Sequence, residues 1–137
     1  MKQVAALPYE FDADGHLRIM LITSRRTRRW VIPKGNPIKG TKAHEAAAQE
    51  AFEEAGLLGV ASKQSIGTFR YHKQLGAETR AEVEVTVFPL RVSGEAKKWP
   101  ERRQRERRWL DPVSASKLAD DVGLKRLILA FDPEQFA

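Results

Sequence analysis

Three glutamates, Glu50, Glu53 and Glu54, are the residues with the clearest chemical potential. They lie within Ala43 to Ala55, a stretch rich in strong helix formers and free of Gly and Pro. At i, i+3 and i+4 their carboxylates project from one face of a helix. Like charges so placed cost a helix roughly 0.2–0.5 kcal/mol per pair, and near its C-terminal end they also oppose the helix dipole. A hard divalent cation such as Mg²⁺, which prefers carboxylate oxygen, would offset both costs. The alternative reading is a solvated acidic face. Ala48, Ala51, Phe52 and Ala55 fall on roughly the opposite side and are expected to be buried. Gly56 stands at the C-cap position, and Thr41 is expected to cap the N-terminus, with Glu45 in the first turn.

The elements around this helix sharpen the choice. Trp30-Val31-Ile32 reads as a short strand ended by Pro33, and Lys34 to Gly40 as the loop entering the helix. From Arg25 to Lys39 there is no acidic residue, while Arg25, Arg26, Arg28, Arg29, Lys34 and Lys39 are all basic. Arg forks onto phosphate and Lys meets it as a point charge, so this segment is a candidate phosphate-binding surface as well as a solvated one. A second basic run, Lys97 to Arg108, either adds phosphate contacts or is a solvated loop and edge strand.

Gly35, Glu50, Glu53, Glu54, Gly56 and Leu57 match in register a known signature, and on these residues the chain resembles the Nudix hydrolases. Their box reads Gly, five residues, Glu, seven residues, Arg-Glu, an aliphatic residue, any residue, Glu-Glu, any residue, Gly and an aliphatic residue. Two positions depart: Thr41 stands in place of the first Glu, and Gln49 in place of the Arg taken to orient the acidic cluster. Gln cannot form an ion pair.

Composition bounds the rest. The chain has 137 residues, 42% of them hydrophobic, and a net charge of +6; it is expected to form a single domain, residues 1–137, with a real core. With no cysteine, disulfides, thiolate zinc sites and cysteine nucleophiles are excluded. Neither a signal peptide nor a membrane span is expected, which points to a cytoplasmic protein. The positive charge suits an anionic partner without saying which.

In chain order, Val4 to Phe11 and Leu17 to Thr23 read as a hairpin around Asp12-Ala13-Asp14-Gly15. Leu57 to Val60 and Ser65 to Tyr71 read as strands, and Gln74 to Glu78 as a loop. Arg80 to Val92 is the clearest strand, with Val83, Val85 and Val87 facing one way. Pro89 is expected at an edge or bulge. Ser93 to Pro100 reads as a loop, Glu106 to Leu110 as a strand, and Asp111-Pro112 as the start of a short helix to Leu118. A final helix carries Leu124, Leu127, Ile128 and Phe131. This order is an α/β layered domain.

The resemblance implies the Nudix fold, an α/β/α sandwich with a mixed curved sheet and a loop-helix-loop box. It implies a hydrolase cleaving a phosphoanhydride, with Glu50, Glu53 and Glu54 around Mg²⁺ or Mn²⁺. Glu53 and Glu54 are the firmest ligands; Glu50 is a further ligand or the residue that orients or deprotonates water, and the general base stays open. Gly35 either lends a backbone carbonyl to the metal or is a turn glycine. Glu82, Glu84 and Glu106 are candidates for an extra carboxylate from outside the box. Trp30 to Gly35, Trp99-Pro100-Glu101 and Arg105-Glu106-Arg107-Arg108-Trp109 resemble the diphosphoinositol polyphosphate phosphohydrolase branch, which implies a diphosphoinositol polyphosphate or dinucleoside polyphosphate as substrate. The alternatives are a nucleotide or RNA 5′-end pyrophosphohydrolase and, in a different class, a non-catalytic module binding an anion or RNA. Either a monomer or a homodimer fits.

Overall fold

The structure, a computed structural model, describes residues 1–136. Eight strands form one mixed sheet: β1 (Lys2–Phe11), β2 (Leu17–Thr23), β3 (Trp30–Val31), β4 (Lys34–Gly35), β5 (Leu57–Ala61), β6 (Gly67–Gln74), β7 (Arg80–Glu95) and β8 (Arg107–Leu110). The helices are α1 (Ala43–Ala55), α2 (Pro112–Leu118) and α3 (Val122–Ala130), followed by a 3₁₀ turn over Pro133–Phe136. At the centre of the sheet β1 and β7 run parallel, with Lys2 opposite Glu84 and Tyr9 opposite Arg91. The other pairings are antiparallel.

β1 is buried on both faces, which is why its sequence is a continuous apolar run rather than an alternation. Ala5, Leu7 and Tyr9 join Val83, Val85 and Val87 in a core against Ala115, Ala119, Leu124 and Ile128 of the C-terminal segment. Val4 and Ala6, one step out of phase, join Met20, Ile22, Phe88 and Leu90 in a second core against Ala46, Ala47, Ala51 and Ala55 of α1. The result is the expected sandwich, with helices on both faces of a mixed sheet.

Several local expectations change. The N-cap of α1 is Lys42, with no side-chain cap; the Thr41 N–H instead donates to the Ile38 carbonyl. The buried residues of α1 are Ala46, Ala47, Ala51, Glu54 and Ala55, whereas Ala48 and Phe52 are only half-buried. Small alanines let the helix lie close to the sheet, and this turns Glu54 inward. The loop before α1 contains a short strand, since Lys34 and Gly35 pair with Ala5 and Val4.

β7 runs on to Glu95, and Pro89 lies inside it, flanked by β1 on one side. Along the other edge, β6 pairs as far as Val87 and β5 begins at Leu90. Pro89 thus sits in the gap between two partner strands, where a missing N–H breaks no ladder, and its carbonyl accepts from the Ser62 N–H.

Candidate active site

The acidic cluster grows from the last two turns of α1. Gly56 ends the helix in the left-handed conformation, at φ +68°. The indole of Trp99 lies where a side chain at Gly56 would go: a Cβ there would meet the ring at 2.4 Å. The Arg107 guanidinium stacks 4.3 Å from that ring, donates to the Ala55 carbonyl at 2.8 Å and pairs with Glu95 at 2.9 Å. The loop of residues 96–106 is pinned to the same helix end by two backbone bonds, Ala96 N–H to Gly56 and Glu101 N–H to Glu53.

Each box glutamate has its own environment. The Glu50 carboxyl packs on Gly35; a Cβ there would lie 2.4 Å from its carboxyl carbon. Gly35 does not have a positive φ and sits in β4, so its requirement is space for Glu50 rather than a turn. Glu53 Oε1 accepts from Gln49 Nε2 at 3.1 Å, so the glutamine orients by a neutral hydrogen bond what an arginine would hold by charge. Glu54 is the most buried, at 6% exposure, with Arg105 Nη2 3.5 Å from its Oε1.

Burial pushes the Glu54 carboxyl up to about 8, against the pull of the Arg105 guanidinium and with help from its hydrogen bond to Glu50. Burial also raises Glu50, opposed by that same hydrogen bond. Two adjoining carboxyls in this state share a proton. A divalent cation can take the place of that proton, so the donor set fits Mg²⁺ or Mn²⁺.

A fourth carboxylate escaped the sequence reading. Glu101 accepts from Arg105 Nε at 2.9 Å and Nη2 at 2.8 Å, while Arg105 Nη1 donates to the Thr23 carbonyl at 3.1 Å. Arg105 therefore bridges Glu54, Glu101 and β2. The three candidates chosen from sequence are elsewhere engaged. Glu82 and Glu84 pair with Arg70 at 3.1 and 3.3 Å, and Glu106 lies 3.8 Å from Arg28.

Beside the carboxylates opens a pocket of about 610 Å³ lined by Gln3, Ser24, Arg25, Arg26, Val31, Lys34, Glu54, Tyr71, Lys73 and Arg105. Of the six cations proposed for phosphate, Arg25, Arg26 and Lys34 line it. Arg28 instead donates to the Gln104 carbonyl at 3.0 Å, Arg29 pairs with Asp120 at 2.7 Å, and Lys39 is exposed and does not line the pocket. Gln3, Tyr71 and Lys73 were also missed; the i, i+2 relation of Tyr71 and Lys73 on one strand face was the available signal.

Among the described residues, the tightest group of metal-type ligands is Asp12, Asp14 and His16, within 4.8 Å of one another. There the Asp12 carboxylate closes the hairpin turn, accepting from the Asp14 and His16 N–H groups at 2.9 Å each. This cluster is a turn, remote from the pocket.

The family model described as "NUDIX domain" matches residues 1–131. The chain belongs to the Nudix family. Nudix hydrolase 12, mitochondrial, of Arabidopsis thaliana is 30% identical over 123 residues, covering 88% of this chain and 61% of that protein. Nudix hydrolase 13, mitochondrial, of the same plant is 31% identical, covering 78% and 55%. This Nudix chain thus spans under two thirds of the length of either relative. Solved structures share the fold. The C. elegans Ap4A hydrolase superposes with a TM-score of 0.65 at 18% identity, covering 93% of this chain and 92% of that one. The MutT protein from Methanosarcina mazei Go1 gives 0.69 at 19%, covering 100% and 96%. Among the described residues no helix of the Nudix domain is long and apolar enough to cross a membrane.

Proposed function

We propose that this Nudix domain is a pyrophosphohydrolase that cleaves a phosphoanhydride in a polyphosphorylated small molecule, a diphosphoinositol polyphosphate or a dinucleoside polyphosphate. The observation that carries this is the meeting of buried carboxylates and basic side chains at one pocket, with Glu54 and Arg105 lining it alongside Arg25, Arg26 and Lys34. A binder of phosphate alone has no use for Glu50 and Glu54 in contact. The 1–137 chain acts as one domain.

In the reaction, water adds to phosphorus, the bridging P–O bond breaks, and two phosphate products leave with release of a proton. Glu50, Glu53 and Glu54 are the residues that would hold Mg²⁺ or Mn²⁺, which when bound would supply Lewis-acid polarisation of the phosphate and neutralise developing charge. Arg25, Arg26 and Lys34 bind and orient the phosphates. Glu50, Glu53 and Glu101 are the carboxylates available to orient the attacking water and accept its proton.

The test is phosphate or nucleotide release with Mg²⁺, Mn²⁺ or EDTA, using a diphosphoinositol polyphosphate, diadenosine polyphosphates, nucleoside triphosphates, ADP-ribose and a 5′-triphosphate RNA. Metal-dependent turnover is expected, ranked by kcat/KM in favour of the first two. No turnover on the whole panel, with metal-independent binding to one member, would make the domain a binding module instead.

A further inference from the structure

Between Ala96 and Arg107 the chain returns to the end of α1 residue by residue. The Ala96 N–H donates to the Gly56 carbonyl and the Glu101 N–H to the Glu53 carbonyl. Arg107 Nη1 donates to the Ala55 carbonyl, and Arg105 Nη2 lies beside the Glu54 carboxylate. The last carbonyls of a helix have no intrahelical partners. This loop therefore satisfies groups that α1 leaves open and reaches the box carboxylates in the same pass.

The pivot of the loop is Trp99. Its indole fills the space over Gly56, where glycine leaves room for the ring. Arg107 stacks 4.3 Å from the ring centroid and Arg102 lies 5.8 Å from it. Among the described residues the buried indole Nε1 has no hydrogen-bond partner, so shape and ring face hold the indole, not its N–H. From the ring the backbone turns tightly. The Arg102 N–H donates to the Trp99 carbonyl at 3.3 Å, and the Gln104 N–H to the Glu101 carbonyl at 3.0 Å. Glu101 lies two residues beyond the indole, and Arg105 grips it through Nε and Nη2 at 2.9 and 2.8 Å. Where the indole sits thus sets where Glu101 and Arg105 meet Glu53 and Glu54.

We propose that Trp99 is a positioning residue of the candidate site: seated on Gly56 and stacked by Arg107, its indole fixes the loop that delivers Glu101 and Arg105 to the box carboxylates. Trp99 itself does not line the pocket. The inference rests on the hydrolase reading for its effect on rate, and on the loop geometry alone for the placement of Glu101 and Arg105.

The experiment compares the wild-type chain with W99F, W99A, W99L and I128V, the last a change in the core on the other face of the sheet from α1. NMR follows the Arg105 Nε–H resonance and the exchange of the Ala96 and Glu101 amides. W99F keeps an aromatic face and loses only an unpartnered N–H, so it should retain the wild-type signals. W99A should lose the Arg105 resonance and exchange the two amides at least about tenfold faster, while the amides of the β1–β7 pair keep their protection. W99L fills the space without a ring face for Arg107 and should fall between; it carries the test should W99A not fold. I128V should lower Tm and leave the loop signals unchanged. In turnover, W99A should lower kcat at least about tenfold with KM within about threefold of wild type, and W99F should restore it. Wild-type loop signals in W99A and W99L would overturn the proposal. So would W99F failing like W99A, I128V losing the Arg105 resonance, or an unchanged kcat in a W99A whose loop signals are lost. Where the wild type hydrolyses nothing, the hydrolase reading fails and the NMR signals alone decide whether Trp99 places the loop.

Discussion

Arg105 Nη2 lies 3.5 Å from Glu54 Oε1 with both side chains at or below 10% exposure, so a buried carboxylate of the box is balanced by a cation from a distant loop. The same nitrogen is 2.8 Å from Glu101. Removing one partner of a buried pair is costly because the other is left uncompensated. Arg105→Gln is expected to destabilise the fold by about 2 kcal/mol, less than a fully ionised pair would lose because Glu54 can take up a proton. Turnover should fall about 100-fold. Arg105→Lys restores the charge but not the fork that reaches Glu101 and Thr23 together, and should recover stability better than rate. Calorimetry and steady-state kinetics on the two variants check this.

Gln49 gives Glu53 a hydrogen bond without charge. Gln49→Arg adds the charge at the same helical spacing and should preserve or raise Mg²⁺-dependent turnover, whereas Gln49→Ala should lower it about tenfold. A collapse of rate in Gln49→Arg would mean the site is built around a neutral partner. Glu53→Gln should lose turnover by orders of magnitude while keeping the wild-type circular dichroism spectrum.

Gly35→Ala places a methyl group 2.4 Å from the Glu50 carboxyl. The obstructed group is the far end of a flexible side chain, so the carboxylate moves and the fold survives. The expected outcome is a Tm near that of the parent with at least about a tenfold loss in Mn²⁺ affinity, read by electron paramagnetic resonance.

Because burial raises Glu54 to about 8 from an unfolded value of 4.5, the folded state holds a proton that the unfolded state releases. This contribution to stability is complete below pH 4.5 and is lost as pH rises through about 8. In EDTA, Tm is expected to fall across that window, and Glu54→Gln should flatten the fall. Mg²⁺ favours the ionised carboxylate, so it should raise Tm more at pH 8 than at pH 5. Equal stabilisation at both values would remove Glu54 from the ion site.

What the sequence made legible follows from how local each signal is. α1 spans Ala43–Ala55 as expected because helix propensity and the Gly56 cap are written within a few residues. Asp111 caps α2 through the Ser114 N–H for the same reason. Glu101 was not legible as a site residue, and Arg105 was legible only as one member of a basic run, since their role depends on the Trp99–Gly56 contact, which no periodicity encodes. Arg28 and Arg29 looked like phosphate ligands by charge alone, and only tertiary structure shows them engaged by Gln104 and Asp120. Pro89 misled because the gap between β6 and β5 is a property of the sheet, not of the strand.

The parallel pairing of β1 with β7 bears on the order in which the molecule assembles. It joins Lys2 to Glu84, well over half the chain apart, and contacts of such separation form slowly. Gln3 lies on one of these strands, and its partner Tyr71 lies on β6, which pairs with the other. The pocket is therefore incomplete until this closure has occurred, and α1 alone presents like charges with nothing to gather them. An ion or polyanion that recognises the finished site meets it only after this closure and acts as a latch. It should leave the refolding rate unchanged and slow unfolding, so the lifetime of the folded chain, rather than its speed of formation, is what ligand controls.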